Sequence, residues 1–117
     1  MRVMIADDTL CIRMSIREIV EEKGHAVVKE VSTGEEAIMA YKTEKPDLVF
    51  METTMPGMSG IEALKVIKAF DPGAEVIMVS TVGQQAMVIE AIQSGAKDFI
   101  VKPFKLERIS VVLSRYE

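Results

Sequence analysis

The sequence predicts an α/β fold, a five-stranded parallel sheet wound on both faces by helices in the (βα)5 pattern. Three observations predict it. Apolar runs recur at 3–6, 26–28, 48–51, 76–79 and 99–101, with successive starts 22 to 28 residues apart. Each run is continuous rather than alternating, as in strands covered on both faces. Each interval is too long for a hairpin turn, holds one helix with two loops, and carries helix punctuation.

The elements follow in order. Val3-Met4-Ile5-Ala6 is strand one; Ile12, Ile16, Ile19 and Val20 then form a stripe at helical spacing, which Gly24 closes. Ala26-Val27-Val28 is strand two. Ser32 with Glu35, or Thr33 with Glu36, offers a capping box ahead of Ala37, Ile38 and Tyr41. Leu48 to Met51 is strand three, and Ser59-Gly60-Ile61-Glu62 opens the helix of Leu64, Val66 and Ile67. Val76 to Val79 is strand four. The segment Thr81-Val82-Gly83-Gln84 gives a third start signal, before Met87, Ile89, Ala91 and Ile92, with Gly95 at the end. Phe99 to Val101 is strand five, and the last helix runs after Pro103, from about Lys105 to Arg115.

The chain of 117 residues fits one domain, placed over 1–117, with a real core: 49% of residues are hydrophobic. No apolar run approaches the ~20 residues that span a bilayer, and Asp7 and Asp8 interrupt any signal-like start. A single cysteine, Cys11, can form neither an internal disulfide nor a zinc site, and a cytoplasmic location is expected. With 14 basic against 18 acidic residues, no tryptophan and no basic cluster, nucleic acid and membrane are not expected partners.

Polar residues stand where the strands end. Asp7 and Asp8 follow strand one, Glu52 follows strand three, Ser80 and Thr81 follow strand four, and Lys102 follows strand five. Open parallel sheets bind ligands outside the carboxyl ends of their strands, at the switch in strand order. Three carboxylates would meet there, and like charges ~4 Å apart repel by about 4 kcal/mol at an effective dielectric near 20. Such a cluster calls for a cation: a hard divalent ion, Mg2+ first, and the ammonium of Lys102.

These residues also carry a resemblance. Val3 to Asp8, Asp47 to Met51 with Thr54-Met55-Pro56-Gly57-Met58-Ser59-Gly60, Val79-Ser80, and Gly95 to Phe104 resemble two-component receiver domains, most of all single-domain chemotaxis response regulators. The resemblance covers essentially the whole chain, with four motifs in order, and helix four shares its flavour. It implies a flavodoxin-like fold with strand order 2-1-3-4-5. It implies Mg2+ held by Asp7, Asp8 and the slot-52 carboxylate with the backbone carbonyl of Thr54. By the same resemblance, Ser80 bonds a phosphoryl oxygen, Lys102 neutralises another, Thr81 gates the pocket, and Phe99 is the aromatic that changes rotamer. A cis Lys102-Pro103 peptide is implied as well.

One position departs. The family's phosphoacceptor is an aspartate in the slot that Glu52 fills here. One added methylene, about 1.5 Å, displaces the reacting oxygen, and a ~1 Å misplacement can cost about 100-fold in rate. Phosphorylation is therefore expected to be largely lost. Glu52 is expected to stand in partly for the phosphorylated state; the alternative is a Glu52–Lys102 pair that locks the inactive form. A small Mg2+-dependent phosphotransferase is the enzymatic alternative, weakened by the lack of a general base beside the acids. A flavodoxin-like cofactor binder lacks its phosphate loop after strand one.

The resemblance makes the chain a monomeric signalling domain, not an enzyme, between a chemotaxis-type histidine kinase and a flagellar switch protein. Helix four, strand five and helix five are the expected partner face, with Met87, Val88, Glu90, Phe99, Lys102 and Lys105 at or beneath it. Met4, Met51 and Met78 are expected in the core, and Met55, Met58 and Met87 partly exposed. His25 is expected on the loop surface, and Cys11 half-buried.

Overall fold

The structure is a computed structural model and describes residues 1–81 and 83–117. Ten elements alternate: β1 Arg2–Ala6, α1 Leu10–Glu22, β2 Ala26–Val31, α2 Gly34–Glu44, β3 Leu48–Glu52, α3 Gly60–Phe70, β4 Val76–Thr81, α4 Gln85–Gln93, β5 Asp98–Lys102 and α5 Leu106–Ser114. The five strands pair in parallel in the order β2-β1-β3-β4-β5. Successive residues of a strand face opposite sides. Val3 and Ile5 pack with Ile16, Ile109 and Val112 of α1 and α5, while Met4 and Ala6 pack with Ala37, Leu64 and Ala91 of α2, α3 and α4. Both faces are thus closed, and the middle strands read as unbroken apolar runs because neither side meets water.

The edge strands differ from that pattern. Ala26 and Lys29 of β2 and Val101 of β5 are exposed, and Val27 and Val28 are half-buried. An edge strand has a neighbour on one side only, and the covering helices sit over the centre of the sheet. Of the two capping boxes open in the sequence, the structure uses Thr33: its Oγ1 accepts the Glu36 N–H at 3.2 Å. Ser59 caps α3 in the same way, accepting the Glu62 N–H at 3.2 Å. The third start signal is different. Gln84 is the N-cap residue of α4 and makes no side-chain cap bond, and Val82 lies outside the described residues. Gly24 (φ +84°) follows α1 and Gly95 (φ +105°) follows α4, both in the left-handed region that favours glycine.

Met55 is buried in the core beside Ile61 and Leu64, not partly exposed, because the loop before α3 folds it under the sheet's α2–α3 face. Cys11 is exposed rather than half-buried, on the outer side of α1. His25 is largely covered: its Nδ1 lies 2.8 Å from the Met1 ammonium. Among the described residues no helix is long and apolar enough to cross a membrane.

Candidate functional site

The order of strands reverses at β1 and β3, so the loops after them leave the sheet in opposite directions and open a crevice. Asp7 follows β1 and Glu52 ends β3, which puts both carboxylates in that crevice. Asp7 is only 1% exposed; its N–H donates to the Val31 carbonyl at 3.0 Å, and its Oδ1 accepts the Thr9 N–H at 2.8 Å. The Arg13 guanidinium donates to the Asp7 carbonyl at 2.6 Å and reaches Glu30, tying α1 and β2 to the acidic loop. Asp8 is exposed at the mouth. Glycine at 60 is required: a Cβ there would stand 1.7 Å from the Glu52 carbonyl oxygen, so α3 starts directly against the end of β3.

Lys102 reaches back from the end of β5 with its side chain 14% exposed. Its Nζ donates to Glu52 Oε1 at 2.9 Å and sits 2.8 Å from Asp7 Oδ2. The Asp7 contact is an ion pair without hydrogen-bond alignment, since among the described residues Asp7 Oδ2 has no hydrogen-bonded partner. The other Glu52 oxygen, Oε2, accepts the Asp8 N–H at 3.1 Å. Burial, the Asp8 side chain and the Asp7 charge push the Glu52 carboxyl up to about 7, against the opposing pull of Lys102 and the Asp8 N–H. Burial works against the Lys102 ammonium as well, but Asp7 and Glu52 outweigh it and raise its pKa. The Lys102–Pro103 peptide, next in the chain, is cis.

Carboxylate oxygens of Asp7, Asp8 and Glu52 lie within 4.8 Å of one another. A set of oxygen donors with more negative charge than Lys102 neutralises suits a hard divalent cation. Ser80, near the end of β4, borders the groove between α4 and β5 and is 1% exposed; among the described residues its hydroxyl has no hydrogen-bond partner.

The other expected residues fall in two places. Val88 and Phe99, with Ser80, Ile89 and Val101, line a groove of about 370 Å³ between α4 and β5. Met87 and Glu90 turn elsewhere: Met87 Sδ lies 3.8 Å from Thr54 Oγ1 in the loop after β3, and Glu90 Oε2 takes Lys65 of α3 at 2.7 Å. Thr54 is exposed two residues past Glu52, and Lys105 is exposed as the N-cap of α5. Thr53 and Gln84 are not among the residues expected from the sequence. Thr53 is 1% exposed and donates its hydroxyl to Gln84 Oε1 at 3.0 Å.

A doubly wound domain with its acidic cluster at the β1/β3 switch point has the architecture of a phosphorelay receiver. The model of the response regulator receiver domain matches residues 3–114, and the chain belongs to that family. It is a CheY-like receiver of two-component signalling, a signalling domain rather than a classical enzyme. Chemotaxis protein CheY of Thermotoga maritima is 50% identical over 114 residues, 97% of this chain and 95% of that one. CheY of Bacillus subtilis gives the same identity and coverage. Among solved structures, the CheX-CheY-BeF3-Mg+2 complex from Borrelia burgdorferi matches at a TM-score of 0.92 and 34% identity, covering 99% of this chain and 89% of that chain.

Proposed function

We propose that this chain acts as a chemotaxis-type receiver whose phosphoacceptor slot, filled by Glu52, is not efficiently phosphorylated and rests in a Glu52–Lys102 pair. One observation carries this: Glu52 Oε1 takes Lys102 at 2.9 Å, so the ammonium that would meet a phosphoryl oxygen is already paired. The pair supports the locked form over the stand-in. A carboxylate brings one charge and two oxygens, against about −1.5 to −2 and three acceptors for a phosphoryl group. Here both oxygens are already taken, by Lys102 and by the Asp8 N–H.

Asp7, Asp8, Glu52 and the Thr54 carbonyl would hold Mg2+, whose charge would neutralise the cluster. Asp8, at the mouth, is placed to meet the ion first, and Lys102 keeps the buried Asp7 paired. A histidine kinase of chemotaxis type lies upstream and a flagellar switch protein downstream. The downstream contact runs over α4, β5 and α5, through Val88, Phe99 and Lys105, with the chain as a monomer in the cytoplasm. Met87 and Glu90 tie α4 to Thr54 and Lys65 rather than meeting the partner.

The test is the intact mass after incubation with Mg2+ and acetyl phosphate. No prompt gain is expected for the native chain, and a gain of ~80 Da (one phosphoryl group) for Glu52→Asp. A prompt gain in the native chain would overturn the proposal.

A further inference from the structure

The side chain of Gln84 joins three segments. Its Oε1 accepts the buried Thr53 hydroxyl at 3.0 Å and the Thr81 backbone N–H at 3.0 Å, while its Nε2 faces Thr54 Oγ1 at 3.3 Å. The Thr81 N–H can only donate, so the atom facing it is the carbonyl oxygen, and this fixes the orientation of the amide. Thr53 and Thr54 directly follow Glu52, Thr81 directly follows Ser80, and Gln84 is the N-cap residue of α4. One amide therefore bolts the loop after Glu52 and the end of β4 to the N-cap of a helix.

That helix has few other anchors. Only Ala91 of α4 is buried, whereas α3 buries Gly60, Ile61, Ala63, Leu64 and Ile67. Ile89 and Ile92 are exposed, and the groove of about 370 Å³ leaves the β5 side of α4 unpacked. The Lys65–Glu90 pair is half-exposed at both ends and worth little. A helix so lightly packed takes its position from its tethers, and the Thr53 hydroxyl would be left orphaned in the core without Gln84.

We infer that Gln84 is a positioning residue that couples the phosphoacceptor loop to α4, so that a change at slot 52 is felt at the helix through this amide. The coupling holds whether or not Glu52 is ever phosphorylated. A change in charge or reach at Glu52 moves the Thr53–Thr54 backbone; Gln84 Oε1, holding Thr53 and Thr81 together, passes the movement to the first turn of α4. Met87, which touches Thr54 and packs on the core, is a second and softer contact between that loop and α4.

Hydrogen exchange tests this without phosphate or metal. The perturbation is Glu52→Gln, and the readout is the change in protection of the α4 amides from Val88 to Ala91, made in three backgrounds. With Gln84 present, Glu52→Gln is expected to change α4 exchange several-fold. In Gln84→Leu, α4 exchange rises on the order of fivefold by itself, the worth of about one net hydrogen bond. In that background the further effect of Glu52→Gln falls below about twofold. Gln84→Glu keeps the acceptor oxygen and regains most of the response. Thr53→Val, which removes the donor and leaves Gln84 in place, is expected to reproduce Gln84→Leu and serves if that variant does not fold. An undiminished α4 response in Gln84→Leu or Thr53→Val, no response in the native background, or no recovery in Gln84→Glu would each overturn the inference.

Discussion

Lys102 holds two carboxylates at once, and its removal would leave Asp7, Asp8 and Glu52 facing one another without a cation. Breaking a buried pair by removing one partner costs about 3–5 kcal/mol. Lys102→Met is therefore expected to lower Tm by more than about 10 °C in chelator, given ~4–8 °C per kcal/mol for a small domain. Millimolar Mg2+ should recover part of that loss in the variant, because the ion replaces the missing charge. Thermal melts with and without Mg2+ measure both, and an unchanged Tm in chelator would refute the pairing. Ser80 makes the opposite case. Among the described residues its buried hydroxyl has no partner, so Ser80→Ala removes a polar group and breaks no hydrogen bond between them. The expected change is neutral to about 1 kcal/mol of added stability by denaturant titration, and a loss above ~1 kcal/mol would mean a hidden partner. The meeting of Asp7, Asp8, Glu52 and Lys102 was legible in the sequence, because each stands at the end of an apolar run and parallel strands carry their ends to one edge. Thr53 and Gln84 were not. They lie 31 residues apart, and the bond between them depends on how two loops meet, which no local pattern encodes.

At the scale of elements, the start of α2 shows a cap whose strength depends on pH. Glu36 accepts the Ser32 N–H at 3.2 Å and the Thr33 hydroxyl at 3.1 Å, and these bonds hold its carboxyl below the ordinary range. A carboxyl depressed in the folded state contributes stability that is complete above the unfolded value of 4.5 and is lost as pH falls through the depressed one. Glu36→Gln is expected to flatten the acid side of the stability profile below about pH 4.5, with little change at pH 7. Thr33→Ala, which removes the N-cap acceptor, should cost about 1 kcal/mol at either pH. Equal acid sensitivity in Glu36→Gln and the native chain would remove Glu36 from that role. Caps of this kind were legible at α2 and α3, where a hydroxyl precedes a glutamate by three residues. The same pattern misled at α4. Thr81 and Gln84 have the cap spacing, but there the glutamine amide bonds Thr53 and Thr81 instead of capping its own helix. The edge strands were misread in burial but not in position, since an apolar run records that a strand is in the sheet, not which neighbours cover it.

For the whole molecule, the sheet separates two surfaces with different tasks. The carboxyl edge holds the charged site, and the side formed by α4, β5 and α5 carries exposed apolar residues: Ile89 at 59%, with Ile92, Val101, Leu106 and Val111. Lys105 is exposed beside them, so the face offers an apolar strip with a cation at its rim. Such a strip suits the apolar side of a short amphipathic helix with acidic flanks. The groove along Val88, Ile89, Phe99 and Val101 would take its anchoring side chain. Under the proposed function that helix belongs to a flagellar switch protein, and binding is weak while Glu52 stays paired with Lys102. Ile89→Ser removes an anchor that is 59% exposed in the free domain. It is expected to weaken peptide binding by about 10-fold or more, the usual effect of losing a central contact, with stability changed by less than ~0.5 kcal/mol. Lys105→Ala should weaken it less, and its effect should shrink as salt rises, because a rim charge mainly steers encounter. Calorimetric titration with the switch-protein segment at two salt concentrations, beside thermal melts, separates these outcomes. Undiminished affinity in Ile89→Ser would move the partner face away from α4; a fall in Tm with it would show that Ile89 serves the fold rather than the contact.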